Sequence, residues 1–91
     1  MSTPTFDYIA ESTRNEIPID SWAVVAEVYR AYDHEGMMFL DLMDATPQCF
    51  ATFYAATVRA LKAAESRNPN FPKTIWEELC EKMEEDPRHV A

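Results

Sequence analysis

A single glycine, Gly36, stands among 91 residues. Hairpin turns draw on glycine for positive φ, so this scarcity argues against an all-β design with many tight turns. No apolar run approaches the ~20 residues needed to cross a bilayer. Basic residues are also few: eight Lys and Arg against sixteen Asp and Glu leave a net charge of −8. Such a field repels phosphate backbones and anionic lipid, so no direct nucleic acid and no membrane is expected as a partner. Two cysteines, Cys49 and Cys80, are too few for a disulfide framework. The opening STPTFDYIAE has neither the basic nor the apolar stretch of a secretory signal. A cytoplasmic protein with reduced thiols is the expectation.

What remains is 47% hydrophobic and 26% charged, with six prolines that suit helix starts and stops. A chain this short buries only about 60% of its unfolded surface, so its core is small. The expected architecture is all-α, a single domain over residues 1–91 built as a bundle of about four to five short helices. Acidity is uneven. Nine acids against Arg14 and Arg30 leave −7 in residues 1–45, and seven acids against six bases leave −1 in residues 46–91.

Thr3-Pro4 opens a first helix whose Phe6, Ile9, Ala10 and Thr13 share one face at i, i+3, i+4, i+7. Pro18 ends it, and Asp20 or Ser21 is placed to cap the next. In TPQCFATFYAATVRALKAAESRN, Thr46 caps, Pro47 follows, and Phe50, Phe53, Tyr54, Thr57, Val58 and Leu61 form a continuous face. Thr74 and Glu77 read as a capping box for a last helix that buries Ile75, Trp76, Leu79, Cys80 and Met83. A mobile tail is expected at about 87–91, after the acidic run 84–86 at the wrong end of the helix dipole.

Residues 22–43 admit two readings. SWAVVAEVYRAYDHEG is rich in β-branched and aromatic residues and can pair with MMFLDLM as a hairpin, giving an α+β fold. Its charges favour helix: Asp20, Glu27, Arg30 and His34 fall on one helical stripe, whereas a strand would send Glu27 and Arg30 to opposite faces. Gly36 then stands where a helix C′ glycine belongs.

Candidate chemistry is thin. Cys49 falls in the first turn of a capped helix, where backbone N–H groups stabilise a thiolate, but only His34 and His89 are available as a base. Asp33, His34, Glu35, Asp41 and Asp44 offer ligands at the length of a calcium loop, yet Met38 occupies the sixth position that requires Gly. Zinc needs His or Cys pairs at short fixed spacing. No metal and no cofactor is expected. Trp22, Tyr29 and Tyr32 line up at helical spacing, as core packing or as a groove for a partner.

The run GMMFLDLMD is the most informative feature. Met37, Met38, Phe39, Leu40, Leu42 and Met43 cannot all face one core from one helix or strand. Methionine adapts to varied surfaces, so these six residues are the candidate partner-binding site, with a homodimer seam and a core helix as the other readings. The expected function is a non-enzymatic protein-interaction module, expected to form a homodimer and to act as an inhibitor or anti-activator that blocks a hydrophobic interface of a partner protein such as a transcription regulator. The alternatives are a nucleic-acid mimic acting on a DNA- or RNA-binding protein, a structural homodimer subunit, and an enzyme using Cys49. In size, acidity and helicity the chain resembles many small bacterial and phage inhibitors, such as anti-activators of transcription regulators and anti-CRISPR proteins. No motif matches them residue by residue, so the resemblance assigns no site residue.

Overall fold

The computed structural model describes residues 3–34, 40, 42–43, 45–70 and 73–89. Among these residues it is helical and contains no strand. Five α-helices run in the order α1 (Thr3–Asn15), α2 (Trp22–Val25), α3 (Arg30–His34), α4 (Pro47–Arg67) and α5 (Thr74–Glu84), with 3-10 turns at Ile19–Ser21 and Ala26–Tyr29. The all-α expectation holds. The hairpin reading fails over residues 22–34, while Gly36 lies outside the described residues.

The centre of the bundle is α4, which packs against α1, α2 and α5. Its start forms as the sequence dictates: the Cys49 N–H donates to Thr46 Oγ1 at 3.1 Å, and Pro47 takes the first helical position. Phe50, Phe53, Thr57 and Leu61 are buried, together with a ridge of Ala56, Ala60 and Ala64. Small side chains at i, i+4, i+8 bring a neighbouring backbone close, which is how one long helix serves several partners. From α1, Ile9, Ala10 and Thr13 are buried and Phe6 is half-buried, as the spacing predicts. Trp76, Cys80 and Met83 complete the core from α5.

Residues 19–34 are less regular than their pattern suggests. Ser21 precedes α2, but it has helical φ/ψ and makes no side-chain cap bond, so neither it nor Asp20 acts as the expected cap. Val25, at φ −108° and ψ 0°, breaks the α geometry into the turn 26–29. Adjacent β-branched Val24 and Val25 lose rotamer freedom in a helix, and a tight 3-10 turn is a common outcome where propensity is low. The polar stripe nevertheless holds: Asp20, Glu27, Arg30 and His34 are exposed, and Val25, Val28 and Tyr29 are buried.

Long-range polar contacts hold this irregular stretch. Tyr29 Oη donates to the Ala10 carbonyl at 2.7 Å inside the core. Tyr32 Oη donates to Asp7 Oδ1 at 3.0 Å. Arg14 reaches from α1 to Asp33 Oδ1 at 2.7 Å, with its guanidinium 4.4 Å from the Tyr29 ring centre, 5.6 Å from that of Tyr32 and 5.7 Å from that of Trp22. The aromatic line therefore encloses a cation of its own chain. Where α1 ends, Arg59 of α4 donates to the Glu16 carbonyl at 2.8 Å.

Two expectations for α5 need correction. The helix begins at Thr74 itself, with Lys73 at the cap in near-helical geometry and no side-chain cap bond. A capping box needs its threonine outside the helix in extended geometry, and here the chain has already turned in one residue earlier. Ile75 is 41% exposed and does not join the buried face.

Two fully buried threonines make opposite predictions. Thr57 Oγ1 donates to the Phe53 carbonyl at 2.9 Å, whereas Thr13 Oγ1 has no partner among the described residues. An unpaired buried hydroxyl costs about 1–3 kcal/mol, so Thr13→Val is expected to stabilise the fold by about 1 kcal/mol in urea denaturation. Thr57→Val removes a satisfied bond and is expected to be neutral or destabilising by about 1 kcal/mol. Equal effects from the two substitutions would contradict this assignment.

Candidate partner-binding face

Of the six residues expected to bind a partner, Leu40, Leu42 and Met43 are described, and Met37, Met38 and Phe39 lie outside the described residues. The three that can be placed divide in two. Leu40 and Leu42 are half-buried and pack against the core. They help to line an apolar cavity of about 240 Å³ with Phe6, Ile9, Ala10, Phe53 and Leu79, where α1, α4 and α5 meet. Met43 turns the other way and is 87% exposed. Of the described residues here, two are anchored against the core and one is displayed.

The segment is shaped by a turn. The Ala45 N–H donates to the Leu42 carbonyl at 3.2 Å, which places Met43 at the first central position of a four-residue turn just before the Thr46 cap. A residue from the far end of the chain closes it. Arg88 Nη1 donates to the Leu42 carbonyl at 2.6 Å and to the Ala45 carbonyl at 2.9 Å. The same guanidinium is gripped by Asp86, through Nε to Oδ1 at 2.9 Å and Nη2 to Oδ2 at 3.0 Å. It also lies 4.6 Å from the centre of the Phe50 ring.

Residues 88 and 89 both contact the rest of the chain. The His89 N–H donates to the Asp86 carbonyl at 2.9 Å, and its ring meets Tyr54 edge-on at 4.7 Å. Tyr54 Oη in turn donates to Glu84 Oε2 at 2.7 Å, a bond that pushes the phenol up to about 12. Residues 90 and 91 lie outside the described residues. Sequence reasoning missed Arg88 because its partners are 43 and 46 positions away. The local signal was only an acid two residues before it.

The cysteine chemistry does not favour a nucleophile. Cys49 is in the first turn of α4, but burial pushes its thiol up and the nearby Arg88 charge offsets only part of that. Burial raises Cys80 to about 11, with Glu84 and Glu77 adding to the shift. Both are free thiols in the core. Of the acids considered as ligands, Asp33 is paired with Arg14, and Glu35, Asp41 and Asp44 lie outside the described residues. Glu77, Glu78, Glu81 and Glu84 are exposed and share one face of α5, and Glu85 just beyond it is exposed too. No helix among the described residues is long and apolar enough to cross a membrane.

The Asp86–Arg88 contact sets a pH test. Its side-chain and backbone hydrogen bonds from Arg88 hold the Asp86 carboxyl down to about 2. The unfolded carboxyl titrates near ~3.9, so the pair's contribution is complete above that pH and is lost as pH falls through about 2. Carboxyl-detected NMR is expected to give an Asp86 midpoint near 2. In Arg88→Ala that midpoint should return towards ~3.9. A wild-type midpoint in the ordinary range would contradict the clamp.

No described protein family and no curated protein matches the chain. One similarity to a solved structure covers nearly all of it. The structure is the CdiA-CT toxin from Burkholderia pseudomallei E479 in complex with its cognate CdiI immunity protein. The match has a TM-score of 0.85 and 28% identity, and covers 97% of this chain and 86% of that one. What this chain resembles is thus a member of a toxin–immunity protein complex.

Proposed function

We propose that this chain is an immunity-type inhibitor, a non-enzymatic protein that binds a toxin domain and neutralises it. The observation that carries the reading is the near-complete likeness to a chain of a toxin–immunity complex. Two features support the inhibitor side of such a pair. The net charge of −8 suits a protein that docks by charge on a basic partner. The two thiols, buried with raised pKa, are poor nucleophiles. The likeness suggests a toxin, in place of a transcription regulator, as the class of partner. Retention of two free thiols suits action in the reducing cytoplasm.

On this reading the binding energy comes from an apolar anchor in the segment 37–43 with acids setting orientation and on-rate. The exposed carboxylates of α5 favour a second mode, in which they occupy a phosphate-binding surface of the toxin. Salt separates the two. Apolar anchoring is weakly salt-dependent, whereas phosphate mimicry weakens steeply as ionic strength rises.

The test is growth rescue. Cells carrying an inducible toxin domain are co-transformed with this chain, using the E479 CdiA-CT toxin and each CdiA-CT-like toxin domain encoded in the chain's own genome. The expected result is that the chain alone is harmless, restores growth against at least one toxin, and forms a stable complex with it in gel filtration. Rescue of none would overturn the proposal. Growth arrest by the chain alone would place it on the toxin side.

A further inference from the structure

A guanidinium has five N–H donors in a fixed plane, and four of those of Arg88 are engaged. Two of its bonds form a fork on Asp86, and the other two reach the Leu42 and Ala45 carbonyls. Asp86 is itself fixed where α5 ends, through its N–H on the Met83 carbonyl at 3.1 Å. The clamp thus joins the end of α5 to the turn that precedes α4. Below the turn, Leu42 packs against the core; above it, Met43 is 87% exposed. A large apolar side chain is held out towards solvent by a turn that is anchored by two carbonyl bonds from Arg88 and a half-buried leucine.

We propose that Arg88, oriented by Asp86, is a positioning residue for partner binding: it fixes the Leu42–Ala45 turn so that Met43 enters an apolar socket on the partner protein. The inference rests on the proposed function. It commits to a toxin domain as the occupant, with a socket rimmed by basic groups, because the chain facing it carries −8. A turn fixed before encounter loses less conformational freedom on binding than a mobile one, so the clamp acts through preorganisation. Arg88 touches the turn and not the toxin. Its loss is therefore expected to shorten the lifetime of the complex, as loss of Met43 does.

The experiment uses the purified full chain, the toxin identified by growth rescue, and five variants. Met43→Ala is expected to weaken binding about 10-fold or more, as truncation of an anchor does. Arg88→Ala is expected to weaken it by a similar factor, to speed hydrogen exchange at the Ala45 amide, and to leave helical circular dichroism intact. Arg88→Lys keeps the charge without the fork, and Asp86→Asn keeps the guanidinium without its orienting charge. Both are expected to fall between wild type and Arg88→Ala. Ile17→Ala, a buried position on the segment after α1, is the control for general destabilisation: its melting temperature is expected to fall while affinity stays within about twofold.

Fast Ala45 exchange with unchanged affinity in Arg88→Ala would overturn the positioning role. So would a loss of affinity that merely tracks melting temperature across the set, Ile17→Ala included. If Arg88→Ala fails to fold, Arg88→Lys and Asp86→Asn decide the matter by the same criteria. A wild-type chain that binds no toxin would remove the functional reading. Unchanged Ala45 exchange in every Arg88 variant would remove the clamp.

Discussion

A guanidinium held between aromatic rings is the contact on which the first half of the molecule depends. Arg14 lies over Tyr29, within reach of Trp22 and Tyr32, and is closed off by Asp33. Burial works against its charge, and the Asp33 hydrogen bond with the neighbouring Glu11 and Asp33 charges outweighs it, leaving the group still more firmly protonated. Residues 19–34 are broken into short α and 3-10 pieces that have little independent stability, because nucleating each turn costs more than its few bonds return. Side chains that cross from α1 bind these pieces into one body. The same contacts engage the aromatic line within the chain.

The second half uses the same device. Arg88 lies over Phe50 and is oriented by Asp86, as Arg14 lies over Tyr29 and is oriented by Asp33. Arginine suits both places, since its flat, weakly hydrated cation stacks on rings and still presents a fork of donors. In a chain with few bases, three arginines (Arg14, Arg59 and Arg88) join segments far apart in sequence. The long helix α4 supplies the scaffold between them. At its N-terminal end the Thr46 cap, the Leu42–Ala45 turn and the tail meet, and there a methionine is displayed.

Local chemistry and periodicity were enough to read the helices. Phe6 to Thr13, Phe50 to Leu61 and the Thr46-Pro47 start all follow from spacing and cap preference, and each is found. The break at Val25 was not legible, because a 3-10 turn and an α turn share nearly the same side-chain period over four residues. Thr74 misled because a capping box depends on the φ/ψ of the residue before it, which the letters alone do not state. The run at 37–43 holds more large apolar residues than one face can hide, and of those described Leu40 and Leu42 pack against the core while Met43 faces solvent. The turn there is also held by Arg88, 46 residues beyond Leu42, and no local pattern announces a contact at that range.

On the proposed function, this acidic helical chain meets a toxin through the turn that Arg88 holds. Hydrogen–deuterium exchange of the wild-type chain, free and bound to the toxin, tests this most directly. Binding is expected to slow exchange across residues 42–46 and to leave the turn at Ile19–Ser21 unchanged. Protection confined to the 19–21 turn and the nearby α4 surface around Ala55 and Arg59, with residues 42–46 exchanging as in the free chain, would contradict it.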